Sequence, residues 1–189
     1  MKTNLLIATL FLMAMAPTAY AQELESKHDP KFDMNLSPSL NPVINPEKNA
    51  NINPKLNWNI NPMHNNDINP GLNVSINPID KFDLNPGKNK ELNPMFHNEF
   101  HPRNPAWKGL YLFNKHDELV GYISVASQSL MLCFNKQSEW TGYFVRAGET
   151  FFNYFDTTGG WTGGYLCFDS KIGFNLFDKE GNWTGEHIK

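Results

Sequence analysis

Phe152-Asn153-Tyr154-Phe155-Asp156-Thr157-Thr158-Gly159-Gly160-Trp161-Thr162-Gly163 is the stretch that decides the fold. Aromatic side chains crowd up to Phe155, an Asp-x-x-Gly follows, and Trp-Thr-Gly comes next. Asp at the first turn position and Gly at the fourth suit a type I turn. The stretch therefore predicts a β-hairpin, with one strand ending at Phe155 and the next starting at Trp161.

The same spelling returns on both sides of it. Phe177-Asp178-Lys179 leads to Trp183-Thr184-Gly185, and Phe134-Asn135-Lys136 leads to Trp140-Thr141-Gly142. The first unit, Phe113-Asn114-Lys115 with Leu119-Val120-Gly121, has lost its Trp. Gly121, Gly142, Gly163 and Gly185 mark a period of about 21 residues, and Gly after Thr permits a bulge or a close backbone approach. Residues 107–189 hold 11 of the chain's 13 Gly. They read as an all-β domain of four hairpin repeats, arranged as a meander, a barrel or a hairpin solenoid. Leu112, Cys133, Tyr154 and Leu176 are apolar in addition to the Phe column, and one sheet face cannot hold both sets. The sheet is expected to be closed or covered on both sides.

Upstream, over 22–106, a second repeat takes over. Pro stands at 30, 38, 46, 54, 62, 70, 78, 86, 94 and 102, every eight residues, usually as Ile/Leu-Asn-Pro with a further Asn three residues on. Pro fixes its own φ, lacks a donor and pushes the preceding residue out of the α region, so a helix is excluded and a central strand disfavoured. One large aliphatic per octad is a thin return against an ordering cost of roughly 1–2 kcal/mol per residue. The segment is expected to be extended or weakly ordered. The competing reading stacks Asn-Pro turns into a narrow solenoid, Ile/Leu inward, with Asn ladders between coils. An even period puts every Ile/Leu on one face, which is free to dock elsewhere.

Residues 1–21 read as a signal peptide: Lys2, an apolar run, and Ala19-Tyr20-Ala21 before a cut ahead of Gln22. That run is short for a membrane span, so no stable insertion of the mature chain is expected, and the location is secreted or periplasmic. A net charge of −3 argues against a nucleic-acid partner.

The chemistry is sparse. No phosphate loop or nucleophile elbow is spelled out, and no catalytic residue, cofactor or metal site is expected. The pair His97 and His101 lies between Pro94 and Pro102, which spoils a helical metal site. Cys133 and Cys167 are either a disulfide or two buried thiols. Trp140, Trp161 and Trp183 recur at the repeat period, with Tyr143 and Tyr165 beside them. Such a column is either core or a flat platform for a sugar or a quaternary ammonium group.

The stretch 152–163 resembles the aromatic-Gly hairpin repeats of choline- and glucan-binding modules of bacterial cell surfaces, and more loosely the tyrosine-aspartate repeats of large secreted toxins. The resemblance implies ligand cages built by Trp140, Trp161, Trp183, Tyr143 and Tyr165 of neighbouring hairpins. The Asn-Pro octads resemble those of uncharacterised secreted bacterial repeat proteins. Together these readings point to an exported, non-catalytic repeat protein for surface display, adhesion or matrix interaction, whose partner is a glycan, an envelope component or another protein. The alternatives are a carbohydrate- or envelope-binding module, and a secreted effector or small hydrolase.

Overall fold

The computed structural model describes residues 29–93 and 110–189; the signal-peptide reading and the His97/His101 pair lie outside them. Eight antiparallel strands follow one another round a closed barrel: β1 Tyr111–Phe113, β2 Leu119–Ser127, β3 Leu130–Asn135, β4 Trp140–Arg146, β5 Phe151–Phe155, β6 Trp161–Asp169, β7 Gly173–Phe177 and β8 Trp183–Ile188. Closure comes from β1 against β8, with Leu112 opposite Ile188 and Phe113 opposite His187. No α-helix occurs among the described residues, and none of their helices is long and apolar enough to cross a membrane.

The repeated words set the local geometry. At the β5–β6 tip the Asp156 carboxylate accepts from the backbone N–H groups of Thr158 and Gly160, at 2.8 and 2.9 Å. Gly159 follows with φ of 91°, a region that suits a residue without Cβ. In β3–β4, Trp140 pairs with Phe134 and Gly142 with Cys133, so Thr141 is the extra residue of a bulge. Its hydroxyl donates to the Cys133 carbonyl at 3.1 Å, and Thr162 and Thr184 do the same to Tyr154 and Leu176.

Strand alternation sorts the apolar side chains into two sets. Leu112, Ile123, Cys133, Phe144, Phe152, Leu166, Leu176 and Ile188, one from each strand, form a single buried cluster that fills the barrel. The other set points outward, yet Phe113, Tyr122, Phe134, Tyr143, Phe155, Tyr165 and Phe177 are also buried. The octads cover them. Ile60, Ile68, Ile76 and Leu84 pack on the outward aromatics of one cluster, and Ile44 and Ile52 on those of another.

The octads do not run extended. Each folds into two tight turns, with Asn at most of the corners and Asp29, Asp33, Ser37 and Lys81 at the others. Asn53 O accepts from Leu56 N and Asn57 N at 3.1 and 2.8 Å, and Asn57 O accepts from Ile60 N at 3.3 Å. The corner side chains work twice. Asn57 Oδ1 accepts from Asn59 N, while Asn57 Nδ2 donates one coil back to Asn51 O at 2.7 Å. Asn61 Nδ2 likewise donates to Pro54 O at 2.8 Å. Asp lacks that donor, so Asn is the residue able to close its own turn and stitch coils together. Weighing one aliphatic per octad against ordering entropy leaves out these bonds and the barrel wall that buries the aliphatic.

The coil travels round the barrel against strand order. Ile44 O is 3.9 Å from Cys167 Sγ on β6, and Ile52 O accepts from Asn153 Nδ2 on β5 at 2.8 Å. The turn Phe82–Leu84 lies against β2, and Leu92 O accepts from Tyr111 Oη of β1 at 3.0 Å. Hairpin tips notch into its flank: Ser138 sits beside Gly87 and the Thr157 carbonyl near Gly71, the first positions after Pro in their octads.

Candidate interaction surface

The structure places the five aromatics of the expected ligand cage on the outward wall near the hairpin tips. Tyr143 and Tyr165 are 0% exposed and leave no ring face open to a ligand. Tyr143 stacks on Trp140 and Phe155 with centroids 6.3 and 5.8 Å away, and Tyr165 on Phe151 and Phe177 at 5.2 and 5.8 Å. Trp140, Trp161 and Trp183 are partly buried against the same clusters. Trp140 Nε1 donates to Gly142 O at 2.8 Å and Trp183 Nε1 to Glu186 O at 3.0 Å. Lys55 Nζ covers the Trp161 ring at 5.0 Å. The column is the seam between barrel and coil, because the octads need a large apolar wall to dock on.

Cys133 and Cys167 are free thiols and do not form the disulfide weighed from the sequence. Cys133 belongs to the inner cluster and Cys167 to an outer one, so the barrel wall lies between them. Burial pushes the Cys133 thiol up to about 11 and raises Cys167 as well, so neither is the thiolate a nucleophile requires. Glu186 stands where β6 has Gly164, and its charge acts on Cys133 and Tyr154. Burial raises its carboxyl above the ordinary range. Burial raises Tyr154 too, so this end of the barrel favours neutral forms. Among the described residues no group of three or more His, Cys, Asp or Glu side chains could hold a metal ion.

The surface that stands out lies on the coil. Its inward corners are Ile/Leu-Asn-Pro, with Leu36-Ser37-Pro38 the exception, and Pro38, Pro46, Pro54, Pro62, Pro70, Pro78 and Pro86 are all buried. The side chains two and four positions after each Pro flank the outward corner. Many are large and apolar: Phe32 (82% exposed), Leu40, Leu56 and Leu72 at the second position, and Met34, Trp58, Val74 and Phe82 at the fourth. Of the 13 large apolar side chains exposed among the described residues, 11 lie on the octads. Successive coils bring a fourth-position side chain to the next second-position one. Trp58 stacks on His64 at 4.8 Å, and Lys88 Nζ sits 4.3 Å from the Phe82 centroid. Sequence reasoning fixed on the Ile/Leu before each Pro and missed this ridge. The Leu or Phe two residues after Pro in five of the octads was the available signal.

No family model, no characterised protein and no solved structure matches the chain.

Proposed function

We propose that this is an exported, non-catalytic repeat protein for adhesion, surface display or matrix interaction, and that the outward ridge of the octads is its contact surface. In this reading the signal peptide is cut after Ala21, four tandem hairpin units build the barrel, and the barrel serves as the rigid form on which the octads are wound. The observation that carries it is the concentration of exposed apolar side chains on the coil. Monomeric soluble proteins rarely leave so much contiguous apolar surface open unless something binds there. Replacing Leu56 and Leu72 with Asn is expected to abolish retention on cells or matrix while leaving the melting temperature within a few degrees of the parent, since both side chains are already in water. Retention equal to that of the parent counts against the ridge.

A second reading, a carbohydrate- or envelope-binding module, draws support from one residue. Trp58 is 65% exposed and held flat on His64, and residues 56–66 carry no Asp, Glu, Lys or Arg. A Trp58→Ala variant on a glycan array or in a cell-wall pull-down separates the readings. Loss of glycan retention selects the module, and unchanged retention or none at all rejects it.

A further inference from the structure

We propose that the ridge binds a second copy of this chain, ridge to ridge and antiparallel, about a two-fold axis at His64. The inference rests on the reading of the ridge as the contact surface and names its partner. The second-position column reads Lys48, Leu56, His64, Leu72, Asp80, all exposed. It is self-complementary about its middle. A half-turn about an axis crossing the ridge at His64 sets Lys48 against Asp80 of the second copy, Leu56 against Leu72, and His64 against itself. The fourth-position column follows: Ala50 meets Phe82, Trp58 meets Val74, and Asn66 meets itself. This rotation keeps each column on its own side, because both copies hold their hairpin tips toward the same edge. Two-fold contacts of this kind use one patch twice and close on themselves, so the product is a dimer rather than a fibre.

The charges select that register. Parallel ridges, related by an axis along the coil, would exchange the two columns and set Lys48 against Ala50 and Asp80 against Phe82, leaving both charges at a contact without a partner, which is costly. An antiparallel shift by one coil would set Lys48 against Leu72 or Lys88. Neither Lys48 nor Asp80 forms an ion pair within its own chain among the described residues. Between them the column carries only apolar side chains and His64. Outside this window the pairing fails, since Leu40 would meet Lys88 and Pro42 would meet Lys90. The coil bends round the barrel, so its outer surface is convex and those ends diverge. Contact over the few central coils fits the small, reversible class of interface, below about 1,200 Å².

Sedimentation velocity of the purified chain over a concentration series, with charge-reversed variants, tests this. Concentration-dependent dimers are expected. Lys48→Glu and Asp80→Lys should each weaken dimerisation at least about tenfold, and the double reversal should restore it to within about threefold. An Asn66→Cys chain should cross-link to a dimer under mild oxidant, against little background because the native thiols are buried. A chain that stays monomeric, a dimer indifferent to both reversals, or single losses that the double variant fails to repair would each overturn the proposal. Loss of cell or matrix retention by the Leu56/Leu72 variant of a chain that never dimerises removes the second copy as partner and leaves the functional reading standing.

Discussion

Asn153 Nδ2 donates to Ile52 O at 2.8 Å, joining the barrel wall to a coil 101 residues earlier in the chain. Asn175 takes the corresponding place on β7, opposite His187 as Asn153 is opposite Tyr165. It is 1% exposed, and neither of its amide atoms has a hydrogen-bond partner among the described residues. The same residue type in the same column is thus stabilising at one position and an uncompensated burial at the other. Asn153→Leu strands the Ile52 carbonyl and is expected to cost about 1–3 kcal/mol. Asn175→Leu removes a desolvation penalty and should be neutral or stabilising. Denaturant melts of the two variants give the order, and a larger loss at Asn175 would reject this account.

Ile76 and Ile79 test whether the coil is part of the core. Ile76 is 6% exposed and packs in the cluster holding Tyr111, Phe113 and Tyr122, whereas Ile79, three residues on, is 62% exposed. Ile76→Ala is expected to cost about 2–5 kcal/mol. Ile79→Ala should stay within about 0.5 kcal/mol of the parent. A coil only loosely laid on the barrel would make both changes silent, and a single cooperative melt lowered by Ile76→Ala alone shows that coil and barrel fold together.

Two carboxyls push stability in opposite directions with pH. The Thr158 hydroxyl and the backbone N–H groups of the β5–β6 tip hold Asp156 below the ordinary carboxylate range, outweighing the effect of its burial. A lowered folded value means stability that is present above the unfolded value and lost as pH falls through the folded one. Asp156→Asn should therefore lower the melting temperature at pH 7, by an amount that shrinks toward acid. Glu186 is the reverse case, because burial raises it. Its charged form weakens the fold at neutral pH, and the penalty fades as pH drops through the raised value. Glu186→Gln is expected to raise the melting temperature at pH 7, modestly since the group is partly solvated, and to change nothing below its unfolded value, about 4.3. Melts from pH 3 to pH 8 check both signs; a Glu186→Gln chain less stable than the parent at pH 7 contradicts the assignment.

The strands were legible because Asp-x-x-Gly and Trp-Thr-Gly carry local chemistry that fixes a turn and a bulge wherever the chain puts them. Closure was legible only as one of two outcomes. Leu112, Cys133, Tyr154 and Leu176 demanded a second covered face, and nothing local says whether a sheet meets its own edge. The coil was harder. Its turns follow from Asn chemistry, but its stability depends on Asn Nδ2 bonds one coil back and on a wall that lies from 19 residues downstream, at Leu92 and Tyr111, to 123, at Ile44 and Cys167. The Trp column stayed open between core and ligand platform for the same reason. Flat rings at a fixed period serve a ligand or a packed neighbour equally well, and the neighbour was in the other repeat.

The two cysteines give the most direct check on which side of the wall each strand face lies. If Cys133 points into the barrel and Cys167 out under the coil, no motion short of opening the barrel brings them together, so an oxidising compartment leaves them reduced. The folded chain should then show no free thiol to an aromatic disulfide reagent, and two after denaturation. Burial raises both thiols, and only thiolate attacks such a reagent, so the folded chain should remain unreactive up to pH 8. Intact mass should equal that of the fully reduced chain. A mass two hydrogens lower would place both sulfurs on one face and would mean that the inner and outer apolar sets have been exchanged along β3 or β6.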